Sequence, residues 1–210
     1  MKVVIVNGSP RSNWNTAMLL KEAEKGALEK GYDVEYIDLY SMKFLGCRSC
    51  LICKMKNMDD KYRCHFKDEL SPVLDKLLAA DKIILGSPIY FSQPTSAIRA
   101  VLERLTFPLL SYLDYQSIFE GKIDVDVLLT MNAPEEHYKQ AYQRGMEEYF
   151  APFKMLNGQV RIFPICDTLQ AKNYALYDMD YQRGEYKKEV RKKEFPQNLA
   201  FAKKLGRGEI

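Results

Sequence analysis

The sequence predicts a doubly wound α/β fold, in which a five-stranded parallel sheet carries helices on both faces. Three observations lead there. Apolar or alternating runs at residues 3–6, 34–39, 82–86, 125–130 and 159–165 have the length and pattern of strands. Segments with helical periodicity lie between them, and such alternation implies a parallel sheet covered on both sides. The loops leaving the first, third and fourth strands hold small, polar and proline residues, and on such a sheet all three reach the carboxyl edge, where ligands bind.

The first run, Val3, Val4, Ile5 and Val6, is wholly β-branched and reads as a strand buried on both faces. A turn with Gly8, Ser9 and Pro10 leads to a helix over 16–30, with Leu20, Ala23, Ala27 and Leu28 on one face and Gly31 as its stop. Residues 34–39 alternate as a strand. Residues 42–64 hold four of the five cysteines and show no clean period. A helix over 68–80 carries Leu70, Val73, Leu74, Leu77 and Leu78. The third strand, 82–86, runs into a loop over 87–94 with two prolines and two adjacent aromatics. A helix over 95–106 follows, with Ile98, Val101, Leu102 and Leu105 apolar. The fourth strand, 125–130, ends in Asn132, Ala133 and Pro134; a helix over 135–150 then leads to the fifth strand. Residues 168–186 are polar and tyrosine-rich without regular pattern, a segment expected as a cap over the site at the carboxyl edge. A last helix is expected over 189–205, its Lys and Arg run a solvated face. The chain reads as one domain, 1–210, with a cysteine-bearing insertion at 42–66 and a C-terminal extension at 168–210.

With 31 basic and 28 acidic residues, the net charge of +3 is too mild to argue for a nucleic-acid partner. No apolar run approaches a membrane span, and the first strand begins too early for a signal peptide, so a cytoplasmic protein is expected. There the cysteines are expected as thiols, metal ligands or redox groups rather than structural disulfides. The histidines are His65 and His137 alone, and no catalytic side chain is assigned.

The first loop carries the most chemistry. A strand, a polar turn and a helix start together collect backbone N–H groups and the positive end of a helix dipole. Ser9, Ser12 and Thr16 add hydroxyls, Asn15 an amide and Arg11 a full charge, a set suited to a phosphate monoester. It is not a P-loop, for no glycine run ends in Lys-Ser/Thr, and the dinucleotide fingerprint G-x-G-x-x-G is missing. The alternative is an ordinary βα turn.

Gly8-Ser9-Pro10-Arg11 with Asn15-Thr16, and Gly86-Ser87-Pro88-Ile89-Tyr90, resemble in sequence and spacing the flavodoxin-like NAD(P)H-dependent FMN reductases over residues 1–165. The resemblance implies strand order 2-1-3-4-5 and bound FMN. It implies NAD(P)H as co-substrate and electron delivery to a flavin, quinone or other small-molecule or protein acceptor. It places the FMN phosphate on Ser9, Arg11, Ser12, Asn15 and Thr16. Pro88, Ile89, Tyr90 and Phe91 become the wall of the ring, and Thr130 and Asn132 further contacts to ring or ribityl chain. It also implies a homodimer or higher homo-oligomer, as does the apolar stretch 106–115.

Gly46-Cys47-x-x-Cys50-x-x-Cys53 resembles the branch of that family that includes the iron–sulfur flavoproteins. Two successive C-x-x-C steps let three thiolates converge on one centre, with Cys64 as a fourth ligand. That branch uses a tighter last step, and Lys54, Lys56, Asp59, Asp60, Lys61 and Arg63 read as an exposed charged loop. The expectation is therefore a flavin-only protein whose thiols pack under the loop beside the ring. The alternatives are an electron carrier with a [4Fe–4S] cluster on Cys47, Cys50, Cys53 and Cys64, or a zinc site there.

Overall fold

In the computed structural model, which describes residues 1–56 and 63–210, Val3 to Val6 are fully buried inside the sheet as part of β1 (Lys2–Asn7). Four more strands, β2 (Asp33–Asp38), β3 (Lys82–Pro88), β4 (Ile123–Thr130) and β5 (Asn157–Ile165), complete it. All neighbours are parallel, in the order β2-β1-β3-β4-β5 that the sequence predicts. Strand side chains alternate between two cores. Val3, Ile5, Ile84 and Leu128 face α1 (Asn15–Glu29) and α7 (Phe195–Arg207). Val4, Val6, Ile83, Leu85, Val127 and Leu129 face α2 (Ser71–Leu78), α3 (Ser96–Thr106) and α5 (Gln143–Phe150).

The helices α1 and α7 touch backbone to backbone. A Cβ on Gly26 would lie 2.0 Å from the Lys203 carbonyl oxygen, and one on Gly206 1.9 Å from that of Ala23. Within the sheet, the fully buried Asp126 pairs with Lys82 at 2.6 Å and with Arg161 at 2.7 Å, which supplies the partners a buried carboxylate requires.

The structure corrects the sequence reading in its last third. The helix expected over 135–150 is interrupted: α4 (Glu135–His137) passes through a π-helical turn, Tyr138–Tyr142, before α5 begins. The single helix expected over 189–205 is two, α6 (Tyr181–Lys193) and α7. Pro196 stands in the first turn of α7 and has no N–H with which to continue the preceding helix. The start of α6 lies inside the stretch read as irregular. Its signal is Asp180, whose Oδ1 accepts the Arg183 N–H at 3.2 Å as an N-cap. Nor is the basic run of α6 wholly a solvated face: Lys187 is buried and Arg191 half-buried.

The cysteine-bearing insertion is hung from α3. Buried Arg104 donates to the carbonyls of Leu45 at 3.0 Å and Phe66 at 2.7 Å, and pairs with Asp68 at 2.6 Å. Lys54 donates to the carbonyls of Phe107 at 2.5 Å and Pro108 at 3.3 Å and to that of Leu110. Asp59, Asp60 and Lys61, expected as part of an exposed loop, lie outside the described residues.

Removing Arg104 leaves Asp68 and two carbonyls without their donor. Arg104→Ala is expected to lower stability in urea unfolding by about 3 kcal/mol, the cost of breaking a buried pair from one side. Burial raises the Asp68 carboxyl, but the Arg104 bond and the Leu45 N–H outweigh it, and its folded pKa lies below the ordinary value. Its contribution is therefore present above the ordinary carboxylate range and is lost as pH falls through the folded pKa. In Arg104→Ala that acid-side loss is expected to shrink.

Candidate active site

Beyond β1 the chain is pinned by its own side chains. The Ser9 N–H donates to Asn7 Oδ1 at 3.1 Å, and the Arg11 N–H to Ser9 Oγ at 3.2 Å. Helix α1 starts at Asn15 after Trp14, with no side-chain cap and no acidic residue in its first turn. The N–H groups of a first turn have no partners inside the helix, so an uncapped start leaves them for an anion. The Thr95 hydroxyl donates to the Gly8 carbonyl at 2.7 Å, and the Thr95 N–H to Ser87 Oγ at 3.0 Å, tying the first loop to the third. Thr16 Oγ1 and Thr130 Oγ1, 2.7 Å apart, tie it to the fourth.

The third loop is built as a tight reversal. The Ile89 N–H donates to the Thr130 carbonyl at 2.9 Å, and Tyr90 and Gln93 exchange N–H···O bonds of 2.8 and 3.0 Å. Between them Phe91 (φ 48°) and Ser92 (φ 61°) are both left-handed, as a two-residue primed turn demands. Neither is glycine, and each such residue costs about 1–2 kcal/mol. The turn holds the Phe91 ring fully exposed at the rim, and Tyr90 beside it is exposed as well. Burial raises the Tyr90 phenol pKa, and the Arg11 charge pulls against it.

These loops enclose a cleft of about 340 Å³, within the size range of small-ligand sites. Ser9, Arg11, Asn15, Thr16, Pro88, Ile89, Tyr90, Phe91, Thr130 and Asn132 all line it. Ser12 does not line it and is exposed. The cleft also has lining residues that sequence reasoning missed, Trp14 and Tyr142 among them, while Thr168, Gln170 and Arg183 come from the segment 168–186 expected as its cap. Trp14, the single tryptophan, standing inside the polar loop, was the available signal.

The segment after β5 closes the outer side. Arg11 donates to the Gln170 carbonyl at 2.5 Å, and Trp14 Nε1 to that of Leu169 at 3.0 Å. Asn15 donates to the same Leu169 carbonyl at 2.9 Å, and its Oδ1 accepts from Arg191. The Asn15 amide is thus held at both ends by the chain, leaving one N–H for a ligand. Asn132 donates to the Thr168 carbonyl at 3.0 Å and to the Tyr174 hydroxyl at 3.2 Å. Burial lowers the Arg191 pKa, its guanidinium lying 5.0 Å from the Trp14 ring and 4.3 Å from that of Phe195.

The four clustered cysteines sit elsewhere. Cys47 and Cys50 are exposed, Cys53 and Cys64 are half-buried, and all four line a small cavity of their own with His65, Phe66 and Arg104. None lines the cleft, which corrects the expectation that they pack beside the ring. Burial raises the Cys53 thiol, and Lys54 pulls it down. Among the described residues no three His, Cys, Asp or Glu side chains are placed to hold a single metal ion. Cys166, just past β5, is half-buried, its thiol pushed up to about 11 by burial and then by Glu135 and Asp167.

The strand order, and a cleft where helices leave opposite faces of adjacent strands, define the flavodoxin-like class. Residues 1–137 match the family of NADPH-dependent FMN reductases, and the chain belongs to that oxidoreductase family. An iron–sulfur flavoprotein of Methanocaldococcus jannaschii is 35% identical over 104 residues, 50% of this chain and 51% of that one. Another, from Archaeoglobus fulgidus, is 32% identical over 104 residues, 50% of this chain and 48% of its own. The chain thus spans about half the length of the curated relatives it matches. Among solved structures, an NAD(P)H:quinone oxidoreductase from Methanothermobacter marburgensis superposes with a TM-score of 0.69 at 15% identity, over 100% of this chain and 96% of that one. An azoreductase from Bacillus anthracis gives 0.69 at 14% identity, over 99% of each. At such identities the two structures establish the shared fold.

Proposed function

We propose that the chain is an FMN-dependent oxidoreductase that takes hydride from NAD(P)H and passes electrons to a flavin, quinone or other acceptor, a small molecule or a protein. The observation that carries this reading is the uncapped start of α1, opening on a cleft that also holds Arg11, a cation with no carboxylate partner among the described residues. That donor set fits a dianionic terminal phosphate without a metal. It favours FMN over FAD, whose phosphates are internal. Bound FMN supplies hydride acceptance and onward electron transfer.

The chain's own part is placement. Ser9, Arg11 and Thr16, with the α1 N–H groups, hold the phosphate. Asn15 contributes its remaining N–H, and Ser12, outside the cleft, is left out of the set. Pro88 and Ile89, fixed by the Ile89–Thr130 bond, give the ring a flat apolar wall, and Tyr90 and Phe91 cover its rim. Thr130 and Asn132 face the polar side. Trp14 and the segment after β5 keep water from the phosphate end. No side chain is asked to move a proton.

A second reading, an electron carrier with a [4Fe–4S] cluster on Cys47, Cys50, Cys53 and Cys64, is favoured by the gathering of all four thiols on one cavity and by the names of the curated relatives. Buried Arg104 lines that cavity beside the four thiols. A homodimer or larger homo-oligomer is also proposed, on the exposed Tyr112, Leu113 and Tyr115 after α3. Among the described residues no helix is long and apolar enough to cross a membrane. A cytoplasmic location belongs to the same proposal.

FMN titration tests the main reading: Arg11→Ala is expected to weaken binding by about 1.5–3 kcal/mol, and tighter binding of FAD than of FMN overturns it. Anaerobic purification separates the two readings. The first expects flavin absorbance alone; a broad brown absorbance with about four irons per chain, lost in Cys50→Ala, establishes the second. Light scattering at micromolar concentration is expected to give at least a dimer mass, and a monomer mass removes that proposal.

A further inference from the structure

Helix α6 carries three cations on one face, Arg183, Lys187 and Arg191, spaced one turn apart. Two of them have seats. Lys187 is buried against the Asn132 carbonyl and the Asp167 carboxylate. Arg191 holds Asn15 between the Trp14 and Phe195 rings. These two fix the register of the helix, and Tyr174 fixes its distance: a Cβ on Gly184 would lie 2.6 Å from that ring. The third cation, Arg183, is exposed and lines the same cleft as Arg11, Tyr90 and Phe91. Among the described residues its guanidinium has no acceptor. The acid on its own turn, Asp180, uses Oδ1 to cap the Arg183 backbone N–H and makes no ion pair with the side chain.

We propose that Arg183 is a specificity-determining residue of the outer cleft, which takes a phosphate group of the incoming nicotinamide nucleotide. The inference rests on the flavin reading above. The FMN phosphate is already matched by Arg11 and the start of α1, so a further guanidinium at the open end addresses a second anionic ligand. A planar fork held by a rigid helix suits bidentate contact with a phosphate. Two phosphate sources share this chemistry: the pyrophosphate common to both nicotinamide nucleotides, and the 2′-phosphate carried by one. Residue 183 lies beyond the 1–137 family match, so the contact is a property of this chain's C-terminal extension.

The test is calorimetric titration of the FMN-loaded full chain with NADP⁺ and NAD⁺. Arg183→Ala is expected to weaken NADP⁺ binding about 10- to 100-fold. Arg183→Lys is expected to recover part of the loss, and FMN affinity to stay unchanged. Loss confined to NADP⁺ assigns the 2′-phosphate, and equal loss for NAD⁺ assigns the pyrophosphate. Unchanged NADP⁺ binding in Arg183→Ala overturns the proposal. So does an equal fall in FMN affinity, which moves Arg183 into the flavin site, or an unsubstituted holoprotein that binds no NADP⁺. Failure of the flavin reading shows separately, as an unsubstituted chain that binds no FMN.

Discussion

The ligand edge of this sheet depends on how closely the backbone can approach itself where β1 and β3 end. The Gly8 N–H donates to the Gly86 carbonyl at 2.8 Å, and neither position has room for a side chain. A Cβ on Gly8 would lie 2.4 Å from Ile98 on α3, and one on Gly86 2.5 Å from Leu20 and 2.8 Å from Thr16 on α1. Two helices on opposite faces thus close on one junction. Their approach brings Thr95 to the Gly8 carbonyl and Thr16 to Thr130, so three loops from three strands meet as one wall. Wider spacing would separate the phosphate end of the cleft from its aromatic rim.

A second close approach, at Gly26 and Gly206, sets the other half of the cleft. Because α7 lies backbone to backbone on α1, the chain just before it passes over the start of α1. That path carries Arg191 to Asn15, Lys187 to Asn132 and residues 169–170 to Trp14 and Arg11. Over the first loop the outer wall is therefore assembled from sequence more than 150 residues away, as the Arg11–Gln170 separation of 159 shows.

This distance explains what the sequence disclosed and what it did not. The sheet was legible because each strand is a local apolar or alternating run, and the carboxyl-edge loops because turn chemistry is local too. Ten of the site residues named from Ser9 to Asn132 stand on the cleft wall for that reason. Ser12 stands off that wall because a hydroxyl's side of a loop depends on the turn, not on its spacing. Lys187 and Arg191 were invisible because cations at helical spacing look the same whether they face water or a distant carbonyl. The break before α7 was written in Pro196, and the start of α6 in Asp180. The separateness of the cysteines was not legible: it follows from Arg104 and Lys54, whose acceptors are mostly backbone carbonyls that no motif displays.

Helix α3 joins two places that the sequence keeps apart. Thr95, just before its first turn, bonds to the loops of the cleft, and Arg104 in its last turn bonds to the cysteine-bearing insertion. An 11-residue helix rises about 16 Å, so the two regions are braced at a fixed separation by one stiff strut. The cleft and the insertion thus share one support, which holds Gly8 through Thr95 at one end and Leu45, Phe66 and Asp68 through Arg104 at the other.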